Sequence, residues 1–437
     1  MKFVKTLIFG SLLLALLCSQ TPEDLLVTAE SQIEMKEFSL AVQTLQQAID
    51  LDPTFAPAAF KLALVFLRTG DMQKSQSLFR QAIDVDPENQ EYRDEFDRIN
   101  EINSLMGEGK RFMNSGELDE AYDIFDKVMT QFPFFANAAY SMGGVKIVQK
   151  QYEVAIKHFR QALEIYPEFS NAQSAIKTVI KNMYNDGNTL YKRGDLEGAV
   201  EAYEKVIEFD STFYQACYQI GVISTRMGDI DQAIAYYKKA LNILPTYTKG
   251  WYALGLAQKR DTDPENAVIS FQRAIDVDPT YARAYVAIGE IFLNRQEYEN
   301  AIDKFQIAIS VQPDYAKAYE NLGITYTRLE QWADAITQLE IAVQFNPKSL
   351  TGWYHLAESF NKTSDCENAL RCARQAIDVK ANYAPALIEQ GVAYWCKGIG
   401  DKTRALNALE KARNDGRWRK VAEYEIDRIK NPDKYKE

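Results

Sequence analysis

Histidine is almost missing from this chain. His158 and His355 are the two copies in 437 residues, and neither has a Cys or His at metal-ligand spacing. That argues against a zinc site. No Gly-x-x-x-x-Gly-Lys loop, Gly-x-Ser-x-Gly elbow or His-Glu-x-x-His helix occurs, so the common phosphate-cradling, serine-hydrolase and metalloprotease motifs are absent. The longest apolar run, Leu7 to Leu17, has eleven residues, whereas a membrane span needs about 20. Positive charge is also lacking: the net charge is -11 and the pI about 5.1, which argues against a nucleic-acid partner.

Against these absences stands a regular proline grid. Pro53 and Pro87 are 34 residues apart, as are Pro133 and Pro167; Pro245, Pro279, Pro313 and Pro347 keep the same step. A period of 34 indicates stacked helix–turn–helix units. With proline at position 32 of each unit, position 20 is small: Ala41, Ser75, Ala121, Ala155, Ala199, Ala233, Ala267, Ala301, Ala335 and Ala369. Position 8 is Gly or Ala, as in Gly109, Gly143, Gly187, Gly221, Gly255, Gly289 and Gly323. Position 24 is bulky, as in Phe79, Phe125, Phe159, Tyr203, Tyr237, Phe271 and Phe305. Small residues let the two helices of a unit approach. Bulky ones at positions 24 and 11 are expected to fill the gap to the next unit. Proline ends the second helix, and Gly-Asp pairs such as Gly70-Asp71 make the turn between helices. The recurring Asp-x-Asp-Pro runs, as at Asp276 to Pro279, suit a solvated turn better than paired catalytic carboxylates.

This pattern resembles the tetratricopeptide repeat (TPR) family. Trp251 to Gly255, with Ala267, Phe271, Ala274 and Pro279, matches nearly every family position. The resemblance covers about residues 22–415 and implies an all-α, right-handed α-solenoid of about eleven helix–turn–helix repeats. Residues 416–437 hold an amphipathic capping helix, with Trp418, Val421, Tyr424 and Ile429, and a tail expected to fray. Once signal and repeats are set aside, roughly forty residues remain, too few for a catalytic domain. No enzyme and no cofactor are expected.

The grid slips twice. Pro87 to Pro133 is 46 residues, and Pro167 to Ser211 is 44. Both insertions keep helical spacing, through Tyr92, Phe96, Ile99, Ile102 and Met106, and through Ala172, Ile176, Val179, Ile180 and Met183. They read as first helices lengthened by about three turns. They divide the array into repeats 1–2 (22–101), repeats 3–4 (102–169) and repeats 5–11 (170–415). The extra turns either bend the stack or carry a partner or dimer contact.

Residues 1–18 read as a signal peptide: Lys2 and Lys5, then the short apolar run, then Cys18. A cysteine there resembles a bacterial lipoprotein signal, in which the thiol is acylated, although Ala15 and Leu17 fit that box loosely. Cleavage near Ser19 and an uncleaved anchor are the alternatives. The expected location is exported, periplasmic or tethered to the outer membrane. Cys366 starts one helix, and Cys396 ends another that should pack beside it. Their meeting allows a disulfide; buried free thiols are the alternative.

In TPR arrays the first helices line the concave surface. By that resemblance the groove residues are Tyr184, Tyr191, Lys192, Tyr218, Arg226, Tyr252, Lys259, Arg260, Arg283, Arg328 and Tyr354. Aromatic and basic on an acidic protein, this face suits a peptide or protein partner of acidic character. The competing account is plain packing by the tyrosines and helix-end placement of the cations. The family's carboxylate clamp finds only Asn188 in place. The function expected is a non-enzymatic scaffold or adaptor in the bacterial cell envelope. The alternative is a soluble exported regulator that binds a ligand or peptide outside any assembly.

Overall fold

The computed structural model describes residues 20–435, so the signal segment and Cys18 lie outside the described residues. Those residues form helices and turns with no strand. They divide into two compact units, meeting at Asp210/Ser211.

The first unit holds five helix pairs. They are α1 (Pro22–Glu34) with α2 (Phe38–Leu51), and α3 (Ala56–Thr69) with α4 (Met72–Val85). Next come α5 (Gln90–Ser115) with α6 (Leu118–Gln131), and α7 (Ala136–Val148) with α8 (Tyr152–Ile165). The last pair is α9 (Ser170–Arg193) with α10 (Leu196–Phe209). The second unit holds six pairs and a cap. Its first helices are α11 (Tyr214–Met227), α13 (Thr248–Arg260), α15 (Ala282–Asn294), α17 (Ala316–Arg328), α19 (Leu350–Lys362) and α21 (Ala384–Cys396). Its second helices are α12 (Ile230–Ile243), α14 (Pro264–Val277), α16 (Tyr298–Val311), α18 (Trp332–Phe345), α20 (Cys366–Val379) and α22 (Lys402–Ala412), and α23 (Arg419–Lys430) caps the stack.

Each helix stops where its sequence stops it. Gly70 ends α3 at φ +90°, and the Asp71 carboxylate then accepts the Lys74 N–H at 3.1 Å, capping α4. Where glycine is missing from this turn, Lys36, Lys150, Thr262, Gln296, Glu330 and Ser364 take up φ near +60°, a region costly for residues with a Cβ. At the proline end, Asp278 caps α14, and its side chain accepts the Thr280 N–H at 3.0 Å and hydroxyl at 2.7 Å.

Packing within a pair is tighter than the sequence implies. A Cβ added to Gly255 would sit 2.6 Å from Phe271 Cε1, and one on Gly289 2.5 Å from Phe305 Cε1. The position-24 ring thus lies on the position-8 glycine of its own unit, as well as facing the next. Burying each such ring stabilises by about 1.5–3 kcal/mol.

The lengthened helices are continuous, and α5 runs unbroken through 101/102, where the grid had placed a boundary. Its extra turns are not left outside. Tyr92 packs on Phe60 with ring centroids 4.5 Å apart, and Ile99 and Ile102 are fully buried. In α9, Ala172, Val179, Ile180 and Met183 are likewise buried. The units therefore divide after α10 rather than at 101/102 or 169/170, because both insertions carry an apolar stripe that packs inside the first unit.

The first unit also closes on itself. Phe38 in repeat 1 meets Tyr166 in repeat 4 edge-on, at 5.7 Å. Lys36 Nζ donates to the Glu164 carbonyl, and the Ser39 hydroxyl to the Glu168 carboxylate. Asn137 on α7 donates to the Gly70 carbonyl at 3.4 Å. One buried cluster extends from Leu25 to Val145. At the other end, the tail through Tyr435 is fastened rather than frayed. Asp427 accepts hydrogen bonds from Asn431 at 2.7 Å, Lys434 at 2.8 Å and the Tyr435 hydroxyl at 2.5 Å.

Candidate functional site

In the second unit, first helices of successive repeats touch: α11 with α13, α15 with α17, α17 with α19, and α19 with α21. The second helices make no comparable contact with one another. The side where neighbouring helices crowd is the inner side of a curved stack, so the first helices line it.

The tyrosines on this side do two jobs. Tyr218 packs on Tyr237 of its own repeat at 5.7 Å and on Tyr247 at 5.1 Å. Tyr252 repeats the arrangement with Phe271 at 5.5 Å and Tyr281 at 5.4 Å. Tyr354 meets Tyr383 at 6.0 Å and Trp418 of the capping segment at 6.5 Å. Each ring is therefore held by the stack and only partly exposed. Burial raises the phenol pKa of Tyr218 and Tyr354, and pushes Tyr252 up to about 12, so all three stay neutral hydrogen-bonding groups at physiological pH. In α17 the ring pair is replaced by a polar pair: Glu320 takes the tyrosine position and accepts a hydrogen bond from Ser349.

The charge on this side is more balanced than the sequence reading holds. Lys259 is bound to Glu290 at 2.9 Å, and Asn321 Nδ2 donates to the other Glu290 oxygen at 3.1 Å. Lys317 is bound to Glu320 at 2.9 Å. Arg260 donates to the Thr225 carbonyl at 3.3 Å. Arg283 and Arg328 are exposed and form none of the ion pairs found among the described residues. Burial raises the phenol pKa of Tyr281 and Tyr315, and the nearby positive charge of Arg283 partly offsets that rise in both. Arg226 is exposed at the end of α11. The site therefore centres on Tyr252, Tyr281, Tyr315 and Arg283. The grouping of Tyr281, Tyr315 and Glu290 was missed from sequence. Its signal was present: Pro245-Thr246-Tyr247, Pro279-Thr280-Tyr281 and Pro313-Asp314-Tyr315 put a tyrosine two residues after each proline.

Tyr184, Tyr191 and Lys192 belong to α9 of the first unit, and the other eight predicted groove residues to the second. Tyr184 packs on Tyr203 at 5.4 Å, and the Tyr203 hydroxyl donates to Asn188 at 2.8 Å. Cys366 and Cys396 are disulfide-linked with Cα atoms 5.7 Å apart, tying the start of α20 to the end of α21. Cys217 and Cys372 are buried thiols, and burial pushes Cys372 up to about 12. His158 pairs with the Tyr122 hydroxyl at 3.2 Å, and His355 with Glu358 at 2.8 Å. Among the described residues no group of His, Cys, Asp or Glu is arranged to hold a metal ion, and no helix is long and apolar enough to cross a membrane.

Beside the cap lies a cluster of carboxylates. Glu389 on α21 is partly buried as a residue, yet its carboxylate is enclosed, accepting from Asn361 Nδ2 at 2.8 Å. Burial first, then repulsion from Glu358 and Glu425, pushes its pKa up to about 7.

Comparison with known proteins agrees with this architecture. Models described as TPR repeat match residues 187–228 and 289–330. Models described as tetratricopeptide repeat match 26–92, 136–169, 214–247 and 248–281. Together they cover more than half of the chain. A TPR repeat-containing protein of Methanocaldococcus jannaschii is 22% identical over 268 residues, 47% of either chain. The chain thus spans about half the length of that relative. Among solved structures, MamA is 27% identical with a TM-score of 0.35, over 37% of this chain and 95% of that one. A chain of the APC/C hetero-tetramer Cut9–Hcn1 is 12% identical with a TM-score of 0.44, over 95% and 98%.

Proposed function

Because this chain belongs to the tetratricopeptide repeat family, we propose that it is a non-catalytic scaffold that holds a protein or peptide partner on the inner side of its second unit. The observation that carries this is the exposed Arg283 guanidinium set beside the partly exposed phenols of Tyr252, Tyr281 and Tyr315. Rigid rings offer contact area at little entropic cost, and a guanidinium reads carboxylates in pairs. The partner segment is accordingly extended and acidic.

A photo-crosslinking amino acid at position 249, the exposed counterpart of Arg283 one repeat earlier, used in the native cell, tests this. Crosslinks should map to an acidic segment of one partner protein. Replacing Tyr252, Tyr281 and Arg283 with Ala should weaken capture of that segment at least about 10-fold while helicity is retained. Undiminished capture would place the interface elsewhere.

Export and a lipid tether at Cys18 belong to the same proposal, as does service in an envelope assembly. They rest on Lys2, Lys5, the Leu7–Leu17 run and Cys18. Protein isolated from its native membrane should begin at an acylated Cys18. An unmodified Cys18 would remove the tether from the proposal.

A further inference from the structure

Closure of the first unit leaves a cavity of about 450 Å³ that no repeat builds alone. Repeat 1 supplies Ile33 and Phe38, α3 supplies Leu64, Val65 and Arg68, α5 supplies Glu95, and the turn before α7 supplies Phe134. The volume lies in the range of small-molecule sites. Half of the lining residues are apolar and half are charged.

The polar groups are nearly all accounted for. Lys61 is paired with Glu30 at 2.8 Å, and Glu95 with Arg98 at 2.5 Å. Glu34 is exposed, at the rim. Arg68 is different. It is partly buried, its guanidinium lies 5.5 Å from the Phe38 ring centroid, and it forms no ion pair among the described residues. Burial lowers its pKa, and no neighbouring carboxylate offsets the shift. A half-buried guanidinium that packs on a ring face and forms no ion pair is an incomplete arrangement, because partial burial of a charge is costly until an opposite charge meets it.

We infer that this cavity binds a small amphipathic carboxylate, its head on Arg68 and its apolar stem against Phe38, Leu64, Val65 and Phe134. The site is separate from the partner-binding side of the second unit. Its occupant touches residues from repeat 1, from α3 and from the turn before α7, so occupancy also holds the first unit closed.

Three ligands with one stem and different heads test this: decanoate, 1-decanol and decyltrimethylammonium, each titrated calorimetrically into the full chain below its micelle concentration. Decanoate should bind tightest, at least about 10-fold tighter than decanol, the ratio of one charge-assisted hydrogen bond. Arg68→Gln should bring decanoate down to the level of decanol and leave decanol unchanged. Arg68→Lys should retain part of the preference, and circular dichroism of both variants should match the parent. Equal binding of decanoate and decanol by the parent would overturn the inference. So would tightest binding of the ammonium, binding of none of the three, or an undiminished decanoate preference in Arg68→Gln.

Discussion

Replacing Glu389 with Gln should make the second unit more stable in mild alkali and leave it unchanged in mild acid. The carboxylate is enclosed between α19 and the capping helix, facing Glu358 and Glu425, with Lys362 as the weakly compensating cation and Asn361 as its donor. A folded pKa of about 7 against an ordinary 4.5 means that the folded state binds the proton more tightly than the unfolded chain does. That contribution to stability is full below about pH 4.5 and is lost as pH rises through 7. The rise corresponds to at most about 3 kcal/mol. Gln keeps an acceptor for Asn361 and carries no charge, so it removes the loss. Urea unfolding followed at tyrosine and tryptophan fluorescence, at half-unit steps from pH 5 to 8, measures it. The two proteins should differ by less than about 1 kcal/mol near pH 5, diverge up to about pH 7 and then level off, the variant being more stable by about 3 kcal/mol at pH 8. Some slope should persist in the variant, because burial also raises the pKa of Glu425. Parallel curves across the range would refute the reasoning.

Three further outcomes follow from local geometry. Thr262 is β-branched and held at φ +60°, so Thr262→Gly should stabilise by about 0.5–1 kcal/mol after the entropy of glycine is deducted; a lower melting temperature would contradict this. Gly289→Ala would press a methyl to within 2.5 Å of Phe305 Cε1, and should lower stability by about 1–3 kcal/mol in urea. Reducing Cys366–Cys396, which spans 30 residues, should cost about 3–4 kcal/mol; an unfolding midpoint unmoved by reductant would show that the bridge contributes nothing.

What could be read from the sequence was what repeats. Gly289 and Phe305 recur in register across many units, so the helix pair and its spacing follow from the pattern. The lengths of α5 and α9 followed from unbroken helical spacing. The features that escaped depend on how distant units come together. Phe38 looks like any apolar residue opening a second helix, and only the fold sets it on Tyr166. The neutralisation of Lys259 by Glu290 crosses from one repeat to the next, 31 residues on, and column-by-column counting of cations passed over it. The exchange of a tyrosine pair for Glu320 and Ser349 is legible only once the two positions are known to touch.

Repeat arrays ordinarily interact only between neighbours, so their units can melt and form piecemeal. The contact of Lys36 with Glu164, across 128 residues, breaks that rule in the first unit. Closing so long a loop must precede the contacts that reward it. The first unit should therefore fold slowly and as a whole, and deleting repeat 1 should cost it more than one repeat's share of stability. The second unit has no such bond between its ends among the described residues, and keeps the piecemeal behaviour of an open stack.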